Sequence, residues 1–260
     1  MKSKSPVIIA MANQKGGVGK TTLCVQLAFY LAAKKGKRVL LIDMDGQGNA
    51  TTTIGNGDDP TVGHTTAANL FEKDCQAVAV AAGKEGIDLI GTPKNDTNLF
   101  DKEAMSLDDI DIPRKNIESV KSNYDYILID CPPSLGRPLI AALTMATDVF
   151  CPVKVSGYAV DGMEGLVRTI FAVKRNYNAG LNLAGVIVND MDRSKSHEKS
   201  LLALTEALGD KVLKNQVMHR VPIDNATSDA IPIWKAKNNH VAFKELEKTF
   251  EEAIKKIANR

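Results

Sequence analysis

A glycine-rich stretch near the start of the chain holds the residues whose types and spacing suggest chemistry. Glycine N–H groups can surround an anion, and a helix that begins at such a loop adds a partial positive charge. Lys20 would contact the terminal phosphates of a nucleotide, and the Thr21 hydroxyl would bind Mg²⁺. The sequence therefore predicts a phosphate-binding loop, whose residues are Lys15, Gly16, Gly17, Val18, Gly19, Lys20, Thr21 and Thr22.

This loop departs from the common Gly-x-x-x-x-Gly-Lys-Ser/Thr pattern at its first position. The pattern requires glycine at position 14, where the chain has Gln14, and a second lysine follows as Lys15. A glycine-rich turn without a ligand is the structural alternative. The flanking sequence favours the phosphate loop, because an apolar run of strand type at 6–14 precedes it and residues 23–33 follow with helical spacing.

Three carboxylates follow apolar runs that are typical of buried strands. Asp43 and Asp45 come at and after the end of a predicted strand at 38–43, and Asp130 ends another at 126–130. Ligands of open parallel sheets lie beyond the carboxyl ends of the strands, and carboxylates there hold Mg²⁺ directly or through water. The sequence predicts Thr21, Asp43 and Asp130 as metal-binding residues and Asp45 as the residue that positions an attacking water. Each aspartate alone also fits a turn or a helix cap.

Strand and helix signals alternate along the chain, which is typical of a parallel sheet flanked by helices. We therefore predict a doubly wound, mostly parallel α/β fold of the P-loop type, as one domain spanning 1–260. Further strands are expected at 87–91, 148–153, 183–188 and 217–221, and further helices at 65–71, 95–105, 113–122, 139–145, 160–177, 197–208 and 240–257.

Composition excludes several classes of protein. The chain has 33 basic and 31 acidic residues, so its net charge of +2 carries no strong signal for a polyanionic partner. No apolar stretch approaches the roughly 20 residues of a membrane span. The four cysteines are widely spaced, which favours free thiols and a cytoplasmic protein over a disulfide framework or a metal site.

Three motifs together resemble the ParA/MinD family of deviant Walker-A ATPases, and above all its ParA (Soj-like) partition ATPases. They lie at 13–22, 39–51 and 124–136, and a looser match covers 161–166. The resemblance implies that the chain binds ATP and Mg²⁺ and forms a homodimer with two ATP molecules between its subunits. Lys15 would then contact the ATP of the other subunit and act in catalysis with Lys20 and Asp45, while Asp130 would be the Walker-B aspartate.

The resemblance also suggests residues for the base and for DNA. The family's Pro-Arg-Asn segment near adenine is represented here by Pro222 and Asp224, and Asn189, at a strand end, is a further candidate or a simple turn cap. Where the family usually has proline the chain has Gly46, which implies a looser loop after Asp45. The DNA-binding candidates are Arg193, Lys195 and Arg220. Arg193 and Lys195 lie in a segment, 192–195, that resembles a family loop that contacts DNA.

The implied function is a partition ATPase that binds DNA non-specifically, sits on the nucleoid and hydrolyses ATP slowly until a ParB-like adaptor stimulates it. A ParA-like positioning ATPase for a protein organelle or cluster is the first alternative. A MinD-like membrane-associated regulator of cell division is the second, although the apolar stripe of the predicted last helix runs unbroken along 241–257, as in a helix packed on its own domain. A metabolic P-loop enzyme or a nitrogenase-type iron protein lacks support, because Cys131 and Cys151 are not in the glycine-rich contexts of a cluster site.

Overall fold

Seven strands form one sheet at the centre of the protein. A computed structural model describes residues 5–57, 59–73, 75, 77–155, 159–192 and 194–259. The strands are β1 (Val7–Met11), β2 (Val39–Asp43), β3 (Ala81–Ala82), β4 (Ile87–Ile90), β5 (Tyr126–Asp130), β6 (Asp148–Lys154) and β7 (Asn182–Asn189). Their order is β3-β4-β2-β5-β1-β6-β7, and every neighbouring pair is parallel except β3 with β4.

Helices cover both faces of this sheet. They are α1 (Lys20–Phe29), α2 (Asn49–Ile54), α3 (Thr97–Lys102), α4 (Ile112–Lys121), α5 (Arg137–Met145), α6 (Ala159–Asn176), α7 (Lys195–Leu208), α8 (Val221–Ser228) and α9 (His240–Ala258). Successive side chains of a strand point to opposite faces. In β5, Ile127 and Ile129 pack in one apolar cluster with α5 and α6, while Leu128 packs in the other with α1 and α9. Burial on both faces explains why these strands are continuously apolar.

The register of the central strands determines where the functional residues meet. Met11 at the end of β1 pairs with Asp130 at the end of β5, and Asp43 at the end of β2 pairs with the same residue. The loop after β1 and both strand-end aspartates therefore lie at one edge of the sheet. The predicted doubly wound, mostly parallel P-loop fold is confirmed.

One predicted strand is wrong, and several short elements escaped prediction. Residues 217–221 do not form a strand: Met218 makes only an isolated bridge with Met191, and Val221 already begins α8. Pro222 lies in the first turn of that helix, where its missing N–H costs nothing. The predicted helix at 65–71 is a single 3-10 turn at Asn69–Phe71. The short elements β3, α2 and α8 were not predicted.

Two smaller observations complete the fold. All four cysteines are free; Cys24, Cys131 and Cys151 are buried, and Cys75 is half-buried. Among the described residues, none of the helices combines the length and the apolar character needed to cross a bilayer.

Candidate functional site

The loop between β1 and α1 has a backbone that only glycine adopts without strain. Gly17 and Gly19 have φ values of 72° and 89°, in the left-handed region, and α1 begins directly afterwards at Lys20. A Cβ atom on Gly19 would lie 2.2 Å from Nδ2 of Asn189. Backbone conformation and close packing thus both require glycine here, and the loop presents N–H groups at the start of a helix, as an anion site does.

A buried carboxylate lies against this loop with one oxygen unused. The Thr21 hydroxyl donates to Oδ2 of Asp130 over 2.7 Å, whereas Oδ1 of Asp130 has no hydrogen-bond partner in the part of the chain that is described. Burial, and then the charge of Asp43, raise the pKa of Asp130 well above its usual range. Lys20 is also buried, and its ammonium donates to the carbonyl of Lys15 over 3.4 Å. A hydroxyl, an unpartnered carboxylate oxygen and a buried ammonium fit a divalent cation and the phosphates that it accompanies.

The second lysine of the loop points outward. The backbone N–H of Lys15 donates to Oδ1 of Asn13 over 2.9 Å, and the Asn13 amide donates to the carbonyl of Pro152 over 2.7 Å. These bonds fix the start of the loop to β6, while Lys15 itself is exposed. Its contact with the nucleotide of another subunit stays a prediction.

The aspartates after β2 hold their own loop together. Oδ2 of Asp43 accepts hydrogen bonds from the N–H and the hydroxyl of Thr51, over 2.8 and 2.7 Å, and Oδ1 accepts from the N–H of Asp45 over 3.2 Å. Burial raises the pKa of Asp43 to about 7. Asp43 thus anchors the turn that leads into α2, which agrees with the turn or cap alternative for this residue, and its metal role stays a prediction. Asp45 is buried and accepts from the N–H of Gln47 over 3.0 Å.

A cavity of about 140 Å³ continues from the phosphate loop toward the end of β7. It brings together three residues that were predicted from different parts of the chain, Asn189, Arg220 and Asp224, but Pro222 is not among its lining residues. Sequence reasoning missed Met218 and His219, which have no motif. The lining consists of Gly17, Gly19, Thr22, Asn189, Asp190, Met218, His219, Arg220, Ile223 and Asp224.

Side chains at this cavity already have protein partners. The Asn189 amide donates to the carbonyl of Val18 over 3.0 Å, so it fixes the phosphate loop to β7. The Asp190 carboxylate accepts from Lys154 and lies 2.6 Å from Nδ1 of His219. Burial acts to raise the pKa of Asp190, but the bonds from Lys154 and His219 hold it below its ordinary value.

The candidate DNA-binding residues that the structure describes have different surroundings. Arg220 makes two hydrogen bonds to the carboxylate of Glu245 on α9, over 3.1 and 2.6 Å, and lines the cavity above. Lys195 is exposed at the first residue of α7. Arg193 lies outside the described residues. A DNA contact of any of the three stays a prediction.

Comparison with known proteins gives results that agree with this geometry. A family model described as an AAA domain matches residues 6–183. The chain is 35% identical to the sporulation initiation inhibitor protein Soj of Bacillus subtilis, covering 87% of this chain and 89% of Soj. It is 35% identical to the chromosome partitioning protein ParA of Caulobacter vibrioides, with 87% and 85% covered.

A solved structure adds a bound nucleotide to the comparison. Cobyrinic acid a,c-diamide synthase from Mycobacterium smegmatis, with bound ADP and magnesium, superposes with a TM-score of 0.72 at 29% identity, over 83% of this chain and 87% of that chain. The ADP and magnesium of that structure are the kinds of ligand that the residues around the Thr21–Asp130 pair fit here. The chain belongs to the ParA/MinD family of P-loop ATPases, which includes the Soj and ParA partition proteins.

Proposed function

We propose that this protein is a partition ATPase of the ParA type, which binds ATP and Mg²⁺, dimerises around the nucleotide and then binds DNA non-specifically. Hydrolysis releases the DNA, and a ParB-like adaptor accelerates that step. The observation that carries the proposal is the Thr21–Asp130 pair beside the buried Lys20, where Oδ1 of Asp130 has no hydrogen-bond partner in the described part of the chain. Such a pair in a chain of this family supports a nucleotide switch at this edge of the sheet.

Each residue of the site has a chemical task in this proposal. Lys20 and the N–H groups of the loop stabilise negative charge on the phosphates. Thr21 and Asp130 would hold Mg²⁺, with Asp43 close behind them, and a bound Mg²⁺ neutralises charge that develops on the phosphate oxygens. Asp45, on the loop after β2, would orient the attacking water. Its backbone N–H bond to Asp43 supports a fixed position for that carboxylate.

Dimerisation and DNA binding rest on basic side chains in this proposal. Lys15 is exposed at the edge of the site, where it can contact a nucleotide held by a second subunit. Lys195, together with Arg193 and Arg220, would contact DNA phosphates, and such contacts weaken steeply as salt rises. A nucleoid-associated cytoplasmic protein would follow. A membrane role has less support, because α9 buries its apolar residues Leu246 and Phe250 in the core of its own domain.

The proposal is tested with the Asp45→Ala variant and Mg–ATP. Loss of the water-positioning carboxylate should trap an ATP-bound dimer that stays on DNA, measured by light scattering and by DNA retention. The additional change Lys15→Ala should return the protein to a monomer. A monomer in both proteins would contradict the proposal.

A second pair of variants tests the DNA contact itself. Lys195→Glu should weaken DNA binding several-fold in Mg–ATP at low salt and leave ATP affinity unchanged, measured by fluorescence anisotropy. Lys121→Glu is the matched control, because Lys121 ends α4 shortly before β5 begins, at the opposite edge of the sheet. Equal losses in both variants would mean that net charge, not the position on α7, determines DNA affinity.

A further inference from the structure

Two segments near the site that contact each other both expose large apolar side chains. Met105 and Leu107 follow α3 and are 53% and 40% exposed, and Leu135 lies before α5 and is 44% exposed. We name these three residues the turn patch. Exposed apolar side chains that cluster in this way mark interaction surfaces more often than isolated ones do.

Backbone contacts join the two segments that carry the turn patch. A Cβ atom on Gly136 would lie 2.8 Å from the carbonyl oxygen of Glu103, so glycine permits this close approach. The Arg137 guanidinium donates to the carbonyl of Ser106 over 2.6 Å, and its backbone N–H donates to the carbonyl of Glu103 over 3.4 Å. The two segments that carry the apolar side chains are therefore firmly connected.

The surroundings of the turn patch are acidic. Residues 101–111 contain five carboxylates and one lysine. Asp109 pairs with Lys73 and Asp111 with Lys115, but within the described part of the chain no Lys or Arg pairs with Asp101, Glu103 or Asp108. The one lysine, Lys102, has its ammonium over the ring of Phe71, 5.8 Å from the ring centre. A cationic partner with apolar side chains is complementary to such a surface.

The same segment touches the loop that carries Asp45. The N–H of Asp96 donates to the carbonyl of Gly46 over 2.9 Å. The ring of Phe100 lies so close to Gly46 that a Cβ atom there would be 2.6 Å from it. At its other end the segment holds Gly136 and Arg137, which follow the strand that ends in Asp130. Residues 96–107 thus contact both the loop that carries Asp45 and the segment that follows Asp130.

We infer that the turn patch is the docking surface for a basic, apolar segment of a partner protein, and that docking acts on the Asp45 loop through the contact of Phe100 with Gly46. This inference rests on the proposed function, since it assigns a surface to the adaptor of that ATPase. A second copy of the chain fits this surface less well, because a two-fold contact would bring the acidic residues of both copies together. The sequence feature that permits the coupling is Gly46, which leaves room for the ring.

The probe for this surface is a labelled 20-residue peptide with lysine and leucine at helical spacing. We expect it to bind the wild type and to lose about tenfold in affinity for the triple variant Met105→Ser, Leu107→Ser, Leu135→Ser, measured by anisotropy. The matched control is Phe171→Ser with Leu202→Ser, two exposed apolar residues on α6 and α7 that lie outside the turn patch. Equal affinity of the peptide for wild type and triple variant would overturn the inference.

Further variants separate docking from coupling and from folding. Asp101→Lys with Asp108→Lys should abolish peptide binding without removing any apolar residue, so a folding defect of the triple variant is not needed to explain a loss. Phe100→Ala should bind the peptide but show no change in hydrolysis when it binds. Loss of ATP-dependent dimerisation in the triple variant would identify the patch as a subunit contact and overturn the inference. Wild-type protein that binds the peptide but hydrolyses no ATP would instead contradict the proposed function.

Discussion

The two ends of the candidate nucleotide site are built in different ways. At the phosphate end, Lys20 and Asp130 are buried, and one oxygen of Asp130 has no hydrogen-bond partner among the described residues. The proposed base end is the cavity beside Asn189. Its lining side chains already have partners, such as Asn189 with Val18 and Arg220 with Glu245. The phosphate end therefore has buried polar groups that a ligand can bind, whereas the side chains at the base end are already held by hydrogen bonds within the protein.

This difference predicts different consequences of substitution at the two ends. Buried charge that is completed only by phosphates and a cation acts on the reaction itself, since it stabilises charge as that charge develops. Prearranged side chains with protein partners contribute mainly to the position of the loop and to affinity. Substitutions at each end therefore test whether the two ends differ in this way.

The largest effect is expected for Lys20→Ala. The variant removes the buried ammonium at the phosphate end, and we expect ATP hydrolysis to fall about 100-fold or more. Phosphate release with Mg–ATP measures it. Lys37→Ala is the control, because Lys37 is an exposed lysine in the turn before β2, and it should keep wild-type activity. A Lys20→Ala protein with half of the wild-type rate would contradict the assignment.

A smaller effect is expected for Asn189→Ala at the base end. The variant removes the hydrogen bond to the Val18 carbonyl, and a neutral bond of this kind contributes about 1 kcal/mol, or about fivefold in affinity. We expect weaker nucleotide binding, seen by titration calorimetry, with the maximal hydrolysis rate nearly kept. Asn182→Ala removes the hydrogen bond from the side-chain amide of Asn182 to Asp148, at the opposite end of the same strand, and should leave nucleotide affinity unchanged. A large fall in the maximal rate would mean that Asn189 belongs with the phosphate end.

The phosphate end could be predicted from sequence because its information is local. Glycines, Lys20 and Thr21 lie within eight consecutive residues, and Asp43 and Asp130 each end an apolar run whose burial requires no knowledge of the fold. Parallel pairing then brings these strand ends to one edge. The doubly wound sheet was predicted for the same reason, since alternating strand and helix periods persist along the chain.

The base end could not be predicted as well because its residues meet only in three dimensions. The run 217–221 is apolar enough to resemble a strand, yet Pro222 belongs to a helix, and His219 reaches the cavity from a segment without a motif. Similarly, the hydrogen bonds from Thr51 to Asp43 join residues eight positions apart, and no spacing rule indicates them. Side-chain hydrogen bonds and contacts of this kind can be identified only from the folded structure.

The last prediction concerns Asp43 and the stability of the protein without nucleotide, where no effect on nucleotide affinity is measured. The pKa of this carboxyl is about 7 in the folded protein and near 3.9 when unfolded, so the folded state binds the proton more tightly. Its contribution to stability is complete below about pH 4 and is lost as pH rises to about 7, by up to about 1.4 kcal/mol per pH unit. Asp43→Asn should therefore flatten the fall of the free energy of unfolding between pH 4 and 7, measured by urea titration. The pKa of Asp130 is also raised, so some slope remains in this variant. Asp229→Asn, at an exposed carboxyl, is the control and should keep the full wild-type slope. An unchanged slope in Asp43→Asn would show that this carboxyl is already ionised in the folded protein before any ligand binds.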